Sequence, residues 1–152
     1  MIEIDLHLSP IVQQIATPLL EDVLHELSGK ESFDEKRYAP PPEDPDLRET
    51  WLVDLREHHA SDLASACRLF SHSNFGTETP VQLQPDDAEA ALRGLTTIRL
   101  KIRDKHLSEL DDTVLELADF GFETLPPPQQ QAYLAYALAA ATQERIIHLL
   151  EP

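Results

Sequence analysis

One cysteine in 152 residues rules out an internal disulfide. That residue, Cys67, points to a reducing compartment. Glycine is scarce too, with four in the chain, while leucine and alanine are abundant, a balance that favours helix over sheet. Cations are few: 12 Lys and Arg stand against 28 Asp and Glu, a formal net charge of -16. Such an excess resists nucleic acid and anionic membrane and suits a domain that meets a basic partner. No long apolar run occurs. The longest stretch, Ala132 to Ala141, is far short of the roughly 20 residues a membrane span needs. The opening Met1-Ile2-Glu3-Ile4-Asp5 has neither the basic start nor the apolar run of a secretory signal, so the expectation is a cytoplasmic protein. Serine elbow, phosphate loop, paired CxxC and dinucleotide fingerprint are all missing. His25-Glu26 is followed by Ser28 and Gly29, which breaks the His-Glu-x-x-His pattern of a metalloprotease.

What is present reads as a single helical domain over residues 1–152, long enough to bury a core. Ile2, Ile4, Leu6 and Leu8 alternate with polar residues and predict a short strand. Ser9-Pro10 then starts a helix to about Leu27, with Ile11, Ile15, Leu19, Val23 and Leu27 on one stripe. Pro18 predicts a kink or break near Thr17. Ser28-Gly29 ends that helix. Residues 30–45 are rich in proline and charge and read as an extended surface connection. Asp44 or Asp46 caps the next helix, whose Leu47, Trp51, Leu55, Ala66, Leu69 and Phe70 share a face, with a break expected around His58 to Ser61. Residues 71–79 are loop. Val81-Gln82-Leu83 mirrors the chain's opening, since each short apolar strand precedes a proline-started helix; the two are expected to pair as a ribbon. A helix to about His106, a short helix from Ser108 to Asp119 with Gly121 as its cap, a rigid Pro126-Pro127-Pro128 spacer and a last helix from about Gln129 to Leu150 complete the chain. The sum is an all-α fold, a bundle of four to five main helices with a minor two-stranded β-ribbon. The last helix is apolar over most of its circumference, which argues for a central helix or one buried in a homodimer.

Several constellations could carry chemistry. Asp54, His58 and Asp62 recur at i, i+4 and i+8, with His59 and His72 nearby, so they could bind a divalent metal or act as an acid–base pair. The structural alternative is ordinary pairing along a helix. Arg93, Arg99, Lys101, Arg103 and Lys105 crowd one helix, but they spread round it at 100° per residue, so pairing within the molecule is expected rather than a phosphate patch. Arg99 lies near the apolar face and needs a partner, expected from Asp62, Asp54 or Glu144. Gln143, Glu144, Arg145 and His148 interrupt the apolar last helix; they could line a pocket, and they are expected instead to anchor the bundle in a polar network of Asp62, Arg99, Gln143 and Glu144. Cys67 is expected to be a buried, inert thiol.

Asp44-Pro45-Asp46 leading into Asp54-Leu55-Arg56, Val81-Gln82-Leu83 followed by Ala91-Leu92 to Ile98-Arg99-Leu100, and the late Gln143-Glu144 give the last two thirds of the chain a resemblance to a bacterial family of unknown function. That family is well represented in actinobacteria. Its members are small acidic helical proteins, often encoded beside the adaptor of the Clp protease. Tyr133 and Tyr136 stand where the family usually has a tryptophan pair. The resemblance implies a helical fold, with Arg99, Gln143 and Glu144 as the positions of interest. Some members carry the label of transcriptional regulator. With a net charge of -16, direct DNA contact is not expected, because duplex affinity is dominated by cations on phosphate. The expected function is non-enzymatic: an acidic regulatory or adaptor-like protein binding a protein partner, with no cofactor. The alternative is a metal or small-molecule site within the bundle, using Asp54, His58, His59 and Asp62.

Overall fold

A computed structural model describes residues 1–6, 8–27, 41–110 and 122–151. The described residues form four α-helices and one two-stranded antiparallel sheet. In order these are β1 (Ile2–Ile4), α1 (Pro10–Leu27), α2 (Pro45–Ser71), β2 (Val81–Leu83), α3 (Pro85–His106), a 3-10 turn (Phe122–Thr124) and α4 (Pro127–Leu150). The expected ribbon is there, with Ile2 opposite Leu83 and Ile4 opposite Val81. Its alternation places Ile4 and Val81 in the core while Glu3 and Gln82 face water.

Proline sets the helix starts. Pro10, Pro45, Pro85 and Pro127 each stand first in a helix, where a missing N–H costs nothing. Pro45 is helped by the Asp44 carboxylate, which accepts from the Asp46 N–H at 2.9 Å. The expected spacer at Pro126-Pro127-Pro128 is therefore mostly first turn, with Pro126 as the N-cap.

Neither α1 nor α2 is broken where a break was one of the expectations. α1 runs unbroken through Pro18. The lost bond frees only the Gln14 carbonyl, and Gln14 and Pro18 both face solvent, where water can satisfy it. α2 continues for 27 residues across His58 to Ser61, a stretch with no proline or glycine to stop it. The expected fifth helix falls largely on residues 111–121, and the connection before α2 largely on residues 28–40; both stretches lie outside the described residues, as do Ser28-Gly29 and Gly121.

α3 is the hub. It packs against α2, α4 and α1, while α1 packs mainly on α4. Leu95, Ile98 and Ile102 of α3 are fully buried, each contributing about 1.5–3 kcal/mol of apolar transfer. α4 meets its neighbours closely through buried Ala132, Ala135 and Ala139. On α1 the buried stripe is Ala16, Leu19, Leu20, Val23 and Leu27, so the expected stripe holds only from Leu19 onward; Ile11 is 67% exposed and Ile15 38%. α2 buries only Leu63, Ser65, Ala66 and Leu69, all in its C-terminal half. Trp51, Leu55 and Phe70 on the expected face are half-buried, and Leu47 is 59% exposed.

Candidate binding cleft between two helices

α1 and α2 both lean on the α3–α4 core and touch each other little, which leaves a cleft of about 1080 Å³ between them. The α1 wall carries Gln13, Thr17, Leu20 and Leu24, a one-face spacing beside the helix's buried stripe. The α2 wall carries Ala60, Ala64, Cys67 and Ser71, again one face, and every one of them is small and exposed. That stripe widens the gap: from Ala60 to Ser71 it presents only small side chains toward α1, and the larger Arg56 stands at its end. Leu63 and Phe70 flank the stripe, and Leu138 of α4 forms the floor. The charged and titratable lining, Glu21 and His25 on α1 with Arg56 and His59 on α2, lies away from the aromatic end at Phe70 and Phe75.

The aromatic end is braced. Phe70 and Phe75 meet edge to face with centroids 5.2 Å apart. Gln13 Nε2 donates to the Phe75 carbonyl at 3.3 Å. The next residue, Gly76, has φ +77, and a Cβ there would collide with the Gln13 amide. The left-handed turn favours glycine, and its missing Cβ leaves room for the Gln13 amide, the end of a flexible side chain.

The residues expected to hold a metal do not converge. Asp54 and His58 are exposed, His59 faces the cleft, and the Asp62 carboxylate accepts from Arg93 Nε at 3.1 Å. Among the described residues no group of three or more His, Cys, Asp and Glu is arranged to hold a metal ion. His72 works in its own loop, its Nδ1 accepting from the Asn74 N–H at 3.0 Å.

Arg99 is not partnered by a carboxylate as expected. It lies six residues after Arg93, about 240° further round α3, and so faces α4 rather than Asp62. Its Nη1 donates to Gln143 Oε1 at 2.6 Å and its Nη2 to the Tyr136 hydroxyl at 3.0 Å. The guanidinium carbon sits 4.9 Å from the Tyr136 ring centroid, a cation–π contact. Gln143 Nε2 in turn donates to the Leu92 carbonyl at 3.0 Å and to Thr96 Oγ1 at 2.6 Å. The α3–α4 seam is thus closed by a cation held among neutral groups. Glu144 and His148 are exposed, and Arg145 reaches Asp5, its Nε donating to Oδ1 at 2.8 Å.

The other basic residues of α3 disperse round the helix. Lys105 donates to Glu26 of α1, and Lys101 lies 3.9 Å from the same carboxylate. The hydrogen bond from Lys105 is the main reason the Glu26 pKa falls below its ordinary value. Burial lowers that of the neighbouring His106. Cys67, expected to be buried, is exposed on the cleft wall with its Sγ 3.9 Å from Ser71 Oγ. Its face is shared with Leu63 and Phe70, but nothing on α1 reaches across to cover it.

Sequence reasoning missed the cleft. The available signal was Ala60, Ala64, Cys67 and Ser71 on a helical face that would carry charge if it were ordinary solvent surface. No described helix is long and apolar enough to cross a membrane. No family model, curated protein or solved structure matches the chain.

Proposed function

We propose that this chain is a non-enzymatic interaction protein, regulatory or adaptor-like, that receives apolar side chains of a protein partner in the α1–α2 cleft. The observation that carries the reading is the cleft itself: an open, largely apolar trough whose α1 wall runs from Gln13 to Leu27, about 21 Å at helical rise. Peptide-binding grooves have this form, with apolar anchors entering between two helices. The acid excess of the chain would steer a basic partner toward it, so binding should weaken as salt rises. The resemblance to small acidic helical proteins beside a protease adaptor is in keeping with such a role.

Site-specific photocrosslinking tests it. A photoreactive residue in place of Ala64 should capture one partner in cells, and the same residue in place of exposed Glu144 should not. Equal capture at both positions, or none at Ala64, would sink the proposal. A small apolar molecule is the second reading, because the volume also sits at the upper end of ordinary ligand sites. Native mass spectrometry of tagless protein separates the two and reports a homodimer as well. A ligand mass favours the second reading, and a co-purified protein the first.

A further inference from the structure

The walls of the cleft determine what kind of segment can lie in it. Both are α-helices, and every backbone N–H and C=O along α1 and α2 between their ends is engaged within its own helix, save the Gln14 carbonyl opposite Pro18. An extended segment laid here would find no ladder of backbone partners and would leave its own peptide groups dehydrated against Leu20, Leu24 and Leu63. A helix brings its backbone already satisfied. The stripe of Ala60, Ala64, Cys67 and Ser71 also lets a third helix approach closely, as small residues do wherever helices pack tightly.

The fourth side of the cleft is open: Glu21, Ala60, Ala64 and Ser71 all face solvent. A seated helix is therefore enclosed on three sides, and its outer face stays in water within the field of a chain with net charge -16. Charge at the trough itself is mixed, with Glu21 on the α1 wall and Arg56 on the α2 wall, so the field that acts on the outer face is that of the whole acidic chain. An acidic outer face would be repelled by this field, and a basic one is drawn in.

We infer that the partner segment is an amphipathic helix with a basic outer face, its apolar stripe seated between α1 and α2. The inference rests on the cleft being the docking surface. The test uses the full chain and synthetic peptides of about 18 residues, slightly longer than the trough. One peptide carries Leu at i, i+4, i+7 and i+11 in an alanine-rich background with Lys elsewhere. A twin has Glu in place of Lys, and a third has two central prolines. Affinities are read by fluorescence anisotropy on the native chain and on Ala64→Trp, whose fold is verified by its circular dichroism and melting temperature. The Lys peptide is expected to bind at least tenfold more tightly than its Glu twin at low salt, with the gap shrinking in 0.5 M salt. Ala64→Trp should weaken the Lys peptide at least tenfold, and the two prolines should do the same. If the Glu twin binds as well or better and Ala64→Trp still blocks it, the basic-helix inference is overturned and the cleft reading stands. If the proline peptide binds like its parent, the helical part is overturned. If no peptide responds to Ala64→Trp, the cleft itself is not the docking surface and both readings fall.

Discussion

Replacing Gly94 with alanine distinguishes tight packing of α2 on α3 from loose contact, because the two predict opposite signs. Gly94 lies within α3 and is buried. In an isolated helix, glycine to alanine is favourable by about 0.8–1 kcal/mol. Here a Cβ would run into the Asp62 carbonyl oxygen and press on Ala66 Cβ at 3.0 Å. Neither neighbour is the tip of a flexible chain. One is helix backbone, and the other is itself buried against α3. The helices must move apart or tilt, and overpacking of this kind costs about 1–3 kcal/mol, more where backbone has to shift. The propensity gain offsets only part of this, so the net expectation for Gly94→Ala is a loss of up to about 2 kcal/mol. For a chain of this size that is up to about 8 °C in melting temperature. Urea unfolding followed by circular dichroism measures it directly, with the midpoint falling and the slope unchanged. Gly94→Ser, slightly larger and a weaker helix former, should lose more. If Gly94→Ala is instead stabilised by about 1 kcal/mol, propensity alone is operating and α2 does not sit on α3 at this point.

Two further predictions concern the polar groups. Gln143→Leu removes the acceptor from Arg99 Nη1 and the donor to Leu92 and Thr96, and is expected to destabilise the chain by about 2–4 kcal/mol; a wild-type urea midpoint would show that the α3–α4 seam does not depend on this network. The second is pH dependence. Glu26 has a lowered pKa, so its contribution is present above its ordinary value of 4.5 and is lost as pH falls through the lower folded value. His106 is also lowered, so the unfolded chain takes up the proton first and stability declines as pH drops below 6.5. Stability measured from pH 8 down to about pH 2.5 should therefore fall in two stages, with His106→Gln flattening the upper one and Glu26→Gln the lower. A profile unchanged by either variant would show that these groups have the same proton affinity folded and unfolded.

Local signals fixed most of the fold. Proline at the first helical position located the starts of α1 and α3, and the period of two in Ile2, Ile4, Val81 and Leu83 located both strands and their pairing. The errors arose where a local rule met tertiary context. Pro18 is tolerated because the carbonyl it frees faces water, and three consecutive prolines read as a spacer although two of them are helix. The candidate site was less legible. The sequence marked Arg99 and Gln143 as polar groups in apolar surroundings, and they do meet each other; a bare charge argument then sent Arg99 to a carboxylate, when an aromatic hydroxyl and an amide serve it. The cleft could not be read from periodicity. Periodicity shows which flank of α2 is apolar or small, and only the placement of α1 decides whether that flank is covered.

The ribbon has a consequence for the order in which the molecule assembles. β1 is made before the strand it pairs with, Val81–Leu83, and before Arg145 of α4, the partner of the adjoining Asp5. Nothing nearby in sequence can complete it. During synthesis β1 waits, unpaired, until Val81–Leu83 arrives, and the adjoining Asp5 waits until α4 docks. The strand is older than every element that fastens it.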